Sequence, residues 1–149
     1  DKDPGSLSLT SKEFSFEKAN ILHEGNDLTI VSIGSIFAEA EKACQMLVNE
    51  GFSVELIAVH SLKPFDNETI VNSIKKTNNV ITLEEHSIYG GLGSAVAELV
   101  AENGLKLNSF RRLGIKDEFS SVVGDQAYLR DYYQINKASV FEAAKEIQS

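Results

Sequence analysis

Three short apolar runs, each followed by a segment of helical periodicity, constrain the fold of this chain more than any other feature. The runs lie at 28–33, 54–59 and 80–83 and are apolar at nearly every position. A strand of this composition is typical of a sheet that helices cover on both faces. We therefore predict a largely parallel sheet with right-handed crossovers, which is a three-layer α/β sandwich.

The segments between these runs carry apolar residues at helical spacing. We expect three helices between Gly34 and Gly104, a last strand near 107–113, and two terminal helices near 126–133 and 137–147. The predicted buried faces of the first three helices are Ile36, Ala40, Ala43, Cys44, Leu47 and Val48; then Ile70, Val71 and Ile74, behind Asp66 as N-cap; then Leu92, Ala95, Val96, Leu99 and Val100.

The start of the chain lacks both hydrophobic periods. Residues 1–13 are dominated by Asp, Ser, Lys and Gly, which predicts a linker or a cloning remnant. We expect residues 14–149 to form the domain. The first residue is not Met, so we expect a processed or excised piece of a longer protein.

The charge balance argues against nucleic acid as a partner. The chain has 14 Lys and Arg against 22 Asp and Glu, which gives a net charge of −8, whereas a nucleic-acid footprint needs clustered cations. No apolar run is long enough to span a bilayer. The one cysteine, Cys44, cannot form an internal disulfide, and no signal segment opens the chain, so we expect a cytoplasmic protein.

The richest candidate site is the loop that follows the third apolar run. Loops at the carboxyl ends of parallel strands form the ligand crevice of an open α/β sheet. Here Glu85 and His86 could act as an acid/base pair, and backbone amides at a helix start could hold an anion. We favour the alternative that the glycines permit close packing while the polar residues make structural or interface contacts. The candidates for interdomain or anion contact are Glu85, His86, Gly90, Gly91, Gly93 and Ser94.

Other residues that could carry chemistry have simpler explanations. His23 and His60 lack the closely spaced second ligand of a metal site, so we expect no metal. Cys44 falls on an apolar helix face, which favours packing over nucleophilic catalysis. Arg111 and Arg112 are adjacent on a predicted strand and must point to opposite faces, so they cannot clamp one phosphate together.

Three landmarks, taken in order, resemble a known family. They are the entry strand at 24–34, the Leu-Lys-Pro-Phe-Asp turn at 62–66, and the segment 80–86 with the glycine-rich continuation at 90–98. Together they resemble the C-terminal domain shared by transketolases, deoxyxylulose-phosphate synthases and the β subunits of 2-oxo-acid dehydrogenases. The Glu-Glu-His and Gly-Gly-Leu-Gly-Ser sequences look closest to a transketolase C-terminal domain or subunit.

This resemblance implies a fold and a role. It implies a five-stranded sheet whose antiparallel edge strand we place at 19–23. It also implies a transferase that moves two-carbon ketol units between sugar phosphates. Thiamine diphosphate and Mg²⁺ would then bind in other domains of the enzyme, and this domain would bind no cofactor. We therefore assign no catalytic residue to this chain, and the domain alone should be inactive. The implied partners are the N-terminal and pyrimidine-binding domains, of the same enzyme or a cognate subunit, in a homodimer.

Two further hypotheses stay open. Within the family, the chain could belong to a deoxyxylulose-phosphate synthase or to a 2-oxo-acid dehydrogenase β subunit. Outside it, the chain could be an autonomous anion-binding regulatory module that uses Gly90 to Ser94, or a small stand-alone enzyme with His86 as its base.

Overall fold

The computed structural model describes residues 18–87, 91–115 and 126–148, except the side chains of His86, Ser87 and Ile115. The predicted linker at 1–13 and Gly90 lie outside the described residues. The described elements, in chain order, are β1 (Asn20–His23), β2 (Leu28–Ile33), α1 (Phe37–Asn49), β3 (Val54–Val59), α2 (Asn67–Thr77), β4 (Asn79–Ser87), α3 (Leu92–Glu102), β5 (Ser109–Ile115), α4 (Gln126–Tyr132) and α5 (Lys137–Gln148).

The five strands form one sheet in the order β1-β3-β2-β4-β5. Strand β1 pairs antiparallel with β3, and all other neighbours are parallel. The predicted mostly parallel sheet with an antiparallel edge strand is therefore confirmed. The last strand begins at Ser109, two residues later than predicted, because Leu105 and Leu107 pack against the core from a loop rather than from a strand.

Alternate residues of the central strands feed two separate cores. Ile30 of β2 and Ile81 of β4 lie in a core with α1 and α5, whereas Val31 and Val80 lie in a core on the opposite face with α2 and α3. This arrangement confirms the three layers, since a side-chain period of two sends neighbouring residues to opposite faces. None of the described helices is long and apolar enough to cross a membrane.

Several local predictions are also confirmed. Asp66 caps α2 by accepting a hydrogen bond from the backbone N–H of Thr69. Cys44 is buried, and burial raises the pKa of its thiol to about 11, which keeps it protonated and unreactive at neutral pH. Arg111 reaches Glu146 of α5 and Arg112 reaches Ser94 of α3, so the two side chains lie on opposite faces of the sheet.

One glycine is required by a close approach of two backbones. The N–H of Gly25 donates to the carboxylate of Glu55, which is 2% exposed and also accepts from Lys76 Nζ at 2.6 Å. A Cβ atom on Gly25 would lie 2.3 Å from the carbonyl carbon of Val54. The turn before β2 therefore packs directly on β3, and a side chain cannot be inserted without moving one of the two segments.

We expect Gly25→Ala to destabilise the domain by about 3 kcal/mol, because the new methyl group overlaps the backbone of Val54. Urea unfolding of the chain would measure the change. The matched control is Glu24→Ala, at the exposed neighbouring position, which should stay within about 0.5 kcal/mol. Equal stability of the two variants would contradict the close packing of this turn.

Candidate functional site

The topology places a potential ligand crevice between the carboxyl ends of β2 and β4. The chain leaves β2 for α1 on one face of the sheet and leaves β4 for α3 on the other. Such a switch point, where two connections diverge, is where ligands bind in open α/β sheets. Ser35 follows the end of β2, and Glu85 lies near the end of β4, so both side chains belong to this crevice.

Helix α4 closes the crevice with polar side chains. Glu85 Oε1 accepts from Ser35 Oγ at 3.0 Å, and Glu85 Oε2 accepts from Arg130 Nε at 2.8 Å and from Gln126 Nε2 at 3.1 Å. Arg130 and Glu85 are both partly buried in this contact. Sequence analysis did not single out Arg130 or Gln126, since both are more than 40 residues away along the chain from Glu85.

The electrostatic environment keeps Glu85 ionised. Burial by itself raises the pKa of this carboxyl, but hydrogen bonds from Arg130 and Ser35 and the charge of Arg130 outweigh burial and hold the pKa below its usual value. A general acid near neutral pH needs the opposite shift. Because the side chain of His86 is not described, the acid/base pair with His86 stays a prediction.

The amides expected to hold an anion are bonded to a carboxylate of the chain itself. Glu84 Oε1 accepts from the N–H of Leu92, and Glu84 Oε2 accepts from the N–H of Gly93, each at 2.8 Å. Glu84 is 1% exposed. A helix N-terminus favours negative charge because its first amides lack partners within the helix. Glu84 supplies that charge from inside, so in this conformation these two amides are not available to an external anion.

The remaining candidate residues position α3 on the sheet. Gly91 occupies the N-cap position of α3. A Cβ on Gly93 would lie 2.7 Å from Arg112 Nε and 3.1 Å from Thr82 Oγ1, so a side chain at this position would have to displace Arg112. Ser94 Oγ accepts from Arg112 Nη2 at 2.8 Å. The structure thus brings Gly91, Gly93 and Ser94 to the start of α3, beside β5, while Glu85 lies in the crevice.

The described part of the chain has no group of three or more His, Cys, Asp or Glu side chains that could hold a metal ion. The carboxylates nearest the crevice, Glu84 and Glu85, are engaged by backbone amides and by the cation of Arg130. As arranged, this site can fix α3 and α4 to the sheet. The described side chains offer it no unengaged base or nucleophile.

We expect Glu84→Gln to lower stability by about 2 kcal/mol, because the amide group replaces one acceptor oxygen with an N–H donor that faces the N–H groups of α3. Thermal or urea unfolding would measure this loss. Glu98→Gln, on the exposed side of the same helix, is the matched control and should change stability by no more than about 0.5 kcal/mol.

We expect Glu85→Gln to loosen α4 selectively, with amide exchange in Gln126–Tyr132 about fivefold faster at neutral pH, since a half-buried ion pair contributes about 1 kcal/mol. A carboxyl with a lowered pKa stabilises the fold above its ordinary value of 4.5 and loses that effect as the pH falls through the folded value. The stability difference from the wild type should therefore shrink below pH 4.5. A difference that grew on acidification would contradict the ion pair.

Comparisons with known proteins agree with this architecture. The family model described as the C-terminal domain of transketolase matches residues 17–140. A 6-deoxy-6-sulfo-D-fructose transketolase subunit of Clostridium sp. (strain MSTE9) is 40% identical over 141 residues, which cover 95% of this chain and 43% of that protein. A 1-deoxy-D-xylulose-5-phosphate synthase of Heliobacterium modesticaldum is 35% identical over 130 residues, which cover 87% of this chain and 20% of that protein.

A solved structure described as a split gene transketolase, inactive beta4 tetramer, aligns with a TM-score of 0.81 at 36% identity, covering 90% of this chain and 43% of that chain. The chain therefore spans less than half the length of these relatives. Fold, family model and sequence identity point the same way, and the chain belongs to the transketolase C-terminal domain family.

Proposed function

We propose that this chain is the non-catalytic C-terminal domain of a cytoplasmic, thiamine-diphosphate-dependent enzyme that transfers two-carbon ketol units between sugar phosphates. Its role is to support interdomain and dimer contacts. The observation that carries the proposal is the filled crevice, in which Arg130 and Gln126 of α4 bind Glu85 at the switch point of the sheet. A domain that closes its own ligand crevice is suited to support rather than to catalysis.

The cofactor assignment rests on the chemistry of the same residues. Thiamine diphosphate stabilises a carbanion during ketol transfer, and its diphosphate needs a divalent metal and cationic or amide donors. The amides of Leu92 and Gly93 are bonded to Glu84, and Arg130 is bonded to Glu85. These described residues do not fit a diphosphate, which favours a site for the cofactor and Mg²⁺ in other sections of the enzyme.

The partners we propose are the N-terminal and pyrimidine-binding sections, within one chain or as a cognate subunit, in a homodimeric assembly. The short coverage of the relatives supports this, since 43% of the transketolase subunit leaves more than half of that protein outside the match. His86 and Gly90 remain proposed interdomain contacts, together with Glu85, Gly91, Gly93 and Ser94.

A deoxyxylulose-phosphate synthase is the second candidate, and the 35% identity to such an enzyme over 130 residues favours it. Both enzymes would use this domain in the same supporting role. An autonomous anion-binding module is less well supported, because Glu84 already holds the amides at the start of α3. The stand-alone enzyme with His86 as base has no described contact in its favour.

We expect the isolated chain to bind neither thiamine diphosphate nor Mg²⁺ together with it, whereas the full-length enzyme, or the chain together with its cognate N-terminal partner, binds both. Isothermal titration calorimetry on the two samples checks this. Cofactor binding by the isolated chain would overturn the proposed location of the site.

The substrate part of the proposal needs its own measurement. The complete enzyme should transfer a ketol unit from a ketose phosphate to an aldose phosphate. Condensation of pyruvate with an aldehyde phosphate, with release of the pyruvate carboxyl group as CO₂, would instead assign the chain to the synthase. Activity of the isolated chain, lost in His86→Ala, would favour the stand-alone enzyme.

A further inference from the structure

A hollow of about 450 Å³ opens at one corner of the sheet, where β1, β2 and β3 meet the start of α1. We call it the β1–α1 hollow. Its lining residues come from the carboxyl ends of β2 and β3, from β1, and from the first turn of α1. They are Asn20, Leu22, Ser32, Ile33, Gly34, Phe37, Ala58, Val59 and His60.

The start of α1 lines one side of the hollow, and the antiparallel edge of the sheet lines the other. Asn20 pairs with Ala58, so these two residues share one face of the sheet at its antiparallel edge. Helix α1 begins at Phe37, which lines the hollow, and Leu22 lies on β1. Leu22 remains 51% exposed on the open side of the hollow. An exposed leucine beside a concave apolar surface is typical of a surface that another chain covers.

The chemistry of the lining restricts what can bind. None of the described residues that line the hollow is Lys, Arg, Asp or Glu. The polar groups among them include the Asn20 amide and the His60 ring, which contact each other at 3.1 Å. The described lining offers a phosphate or carboxylate neither Lys nor Arg, which argues against a sugar phosphate or a nucleotide. The lining instead matches an uncharged apolar or aromatic side chain that meets Leu22 and Phe37.

We propose that the β1–α1 hollow receives an apolar side chain from the section of the same enzyme that precedes this chain. This inference rests on the proposed function. The relatives extend far beyond the matched region, which the family model describes as a C-terminal domain. A section that precedes this domain would join the chain on the N-terminal side of β1, and β1 lines the hollow. Attachment at the wall of an apolar hollow gives that section a high local concentration there.

Two neighbouring residues of β1 supply a matched pair of variants. Leu22 lines the hollow, whereas Ile21 faces the other side of the sheet and borders a separate pocket with Glu55 and Lys76. Both are largely exposed, at 51% and 44%. A substitution at either position therefore disturbs the same short strand to a similar degree, and only one of them alters the hollow.

The experiment compares backbone amide exchange in the isolated chain and in the complete enzyme. Amides of 19–23 and 34–38 should exchange at least about tenfold more slowly in the complete enzyme, because docking covers them. Leu22→Asp in the complete enzyme should abolish most of this protection at 34–38, and Ile21→Asp should preserve it. Equal exchange in the two wild-type samples, or equal effects of the two variants, would overturn the proposal.

The remaining outcomes identify another occupant and would also overturn it. Protection in the isolated chain that grows with protein concentration would assign the hollow to a second copy. Protection in the isolated chain that disappears when residues 1–17 are removed would assign it to the chain's own first segment. If the complete enzyme binds thiamine diphosphate but leaves the hollow unprotected, only the docking surface is wrong, whereas failure of the complete enzyme to bind the cofactor refutes the proposed function.

Discussion

The fold depends on one constraint, which is that β2 and β4 carry apolar side chains on both faces and both faces must be buried. Their side chains alternate between a core with α1 and α5 and a core with α2 and α3. Helices must therefore cover both sides, and each connection must cross over a face of the sheet before the next parallel strand begins. The connections from β2 and from β4 go to opposite faces, which leaves a crevice at their carboxyl ends. The candidate site is thus a consequence of how the core is filled.

What occupies that crevice decides the functional conclusion. Two adjacent carboxylates perform different structural tasks there, because successive residues of a strand point to opposite faces. Glu84 satisfies the first amides of α3, and Glu85 binds Arg130 of α4 across the strand ends. Both interactions supply from within the chain the charge that a ligand would otherwise bring. These contacts fix α3 and α4 to the sheet at the edge where other open α/β sheets bind ligands.

The other corner of the same sheet edge is open. Leu22 of β1 and Phe37 of α1 line an apolar hollow there, and Leu22 is 51% exposed. A polar crevice closed by side chains of the same domain, beside an open apolar hollow, suits a domain whose partner is a protein surface.

The sequence by itself determined the secondary structure, the three layers and the burial of Cys44, because strand and helix periods are local and each apolar residue carries its own preference for burial. It also showed that Arg111 and Arg112 point to opposite faces of the sheet, because successive side chains of a strand alternate between the two faces. It could not show that Glu84 would bind the start of α3, that Arg130 would reach Glu85 from 45 positions away, or that β1 would leave Leu22 exposed beside a hollow. Those contacts were decided only by the tertiary structure, because they join segments whose distance in space depends on how the helices pack on the sheet.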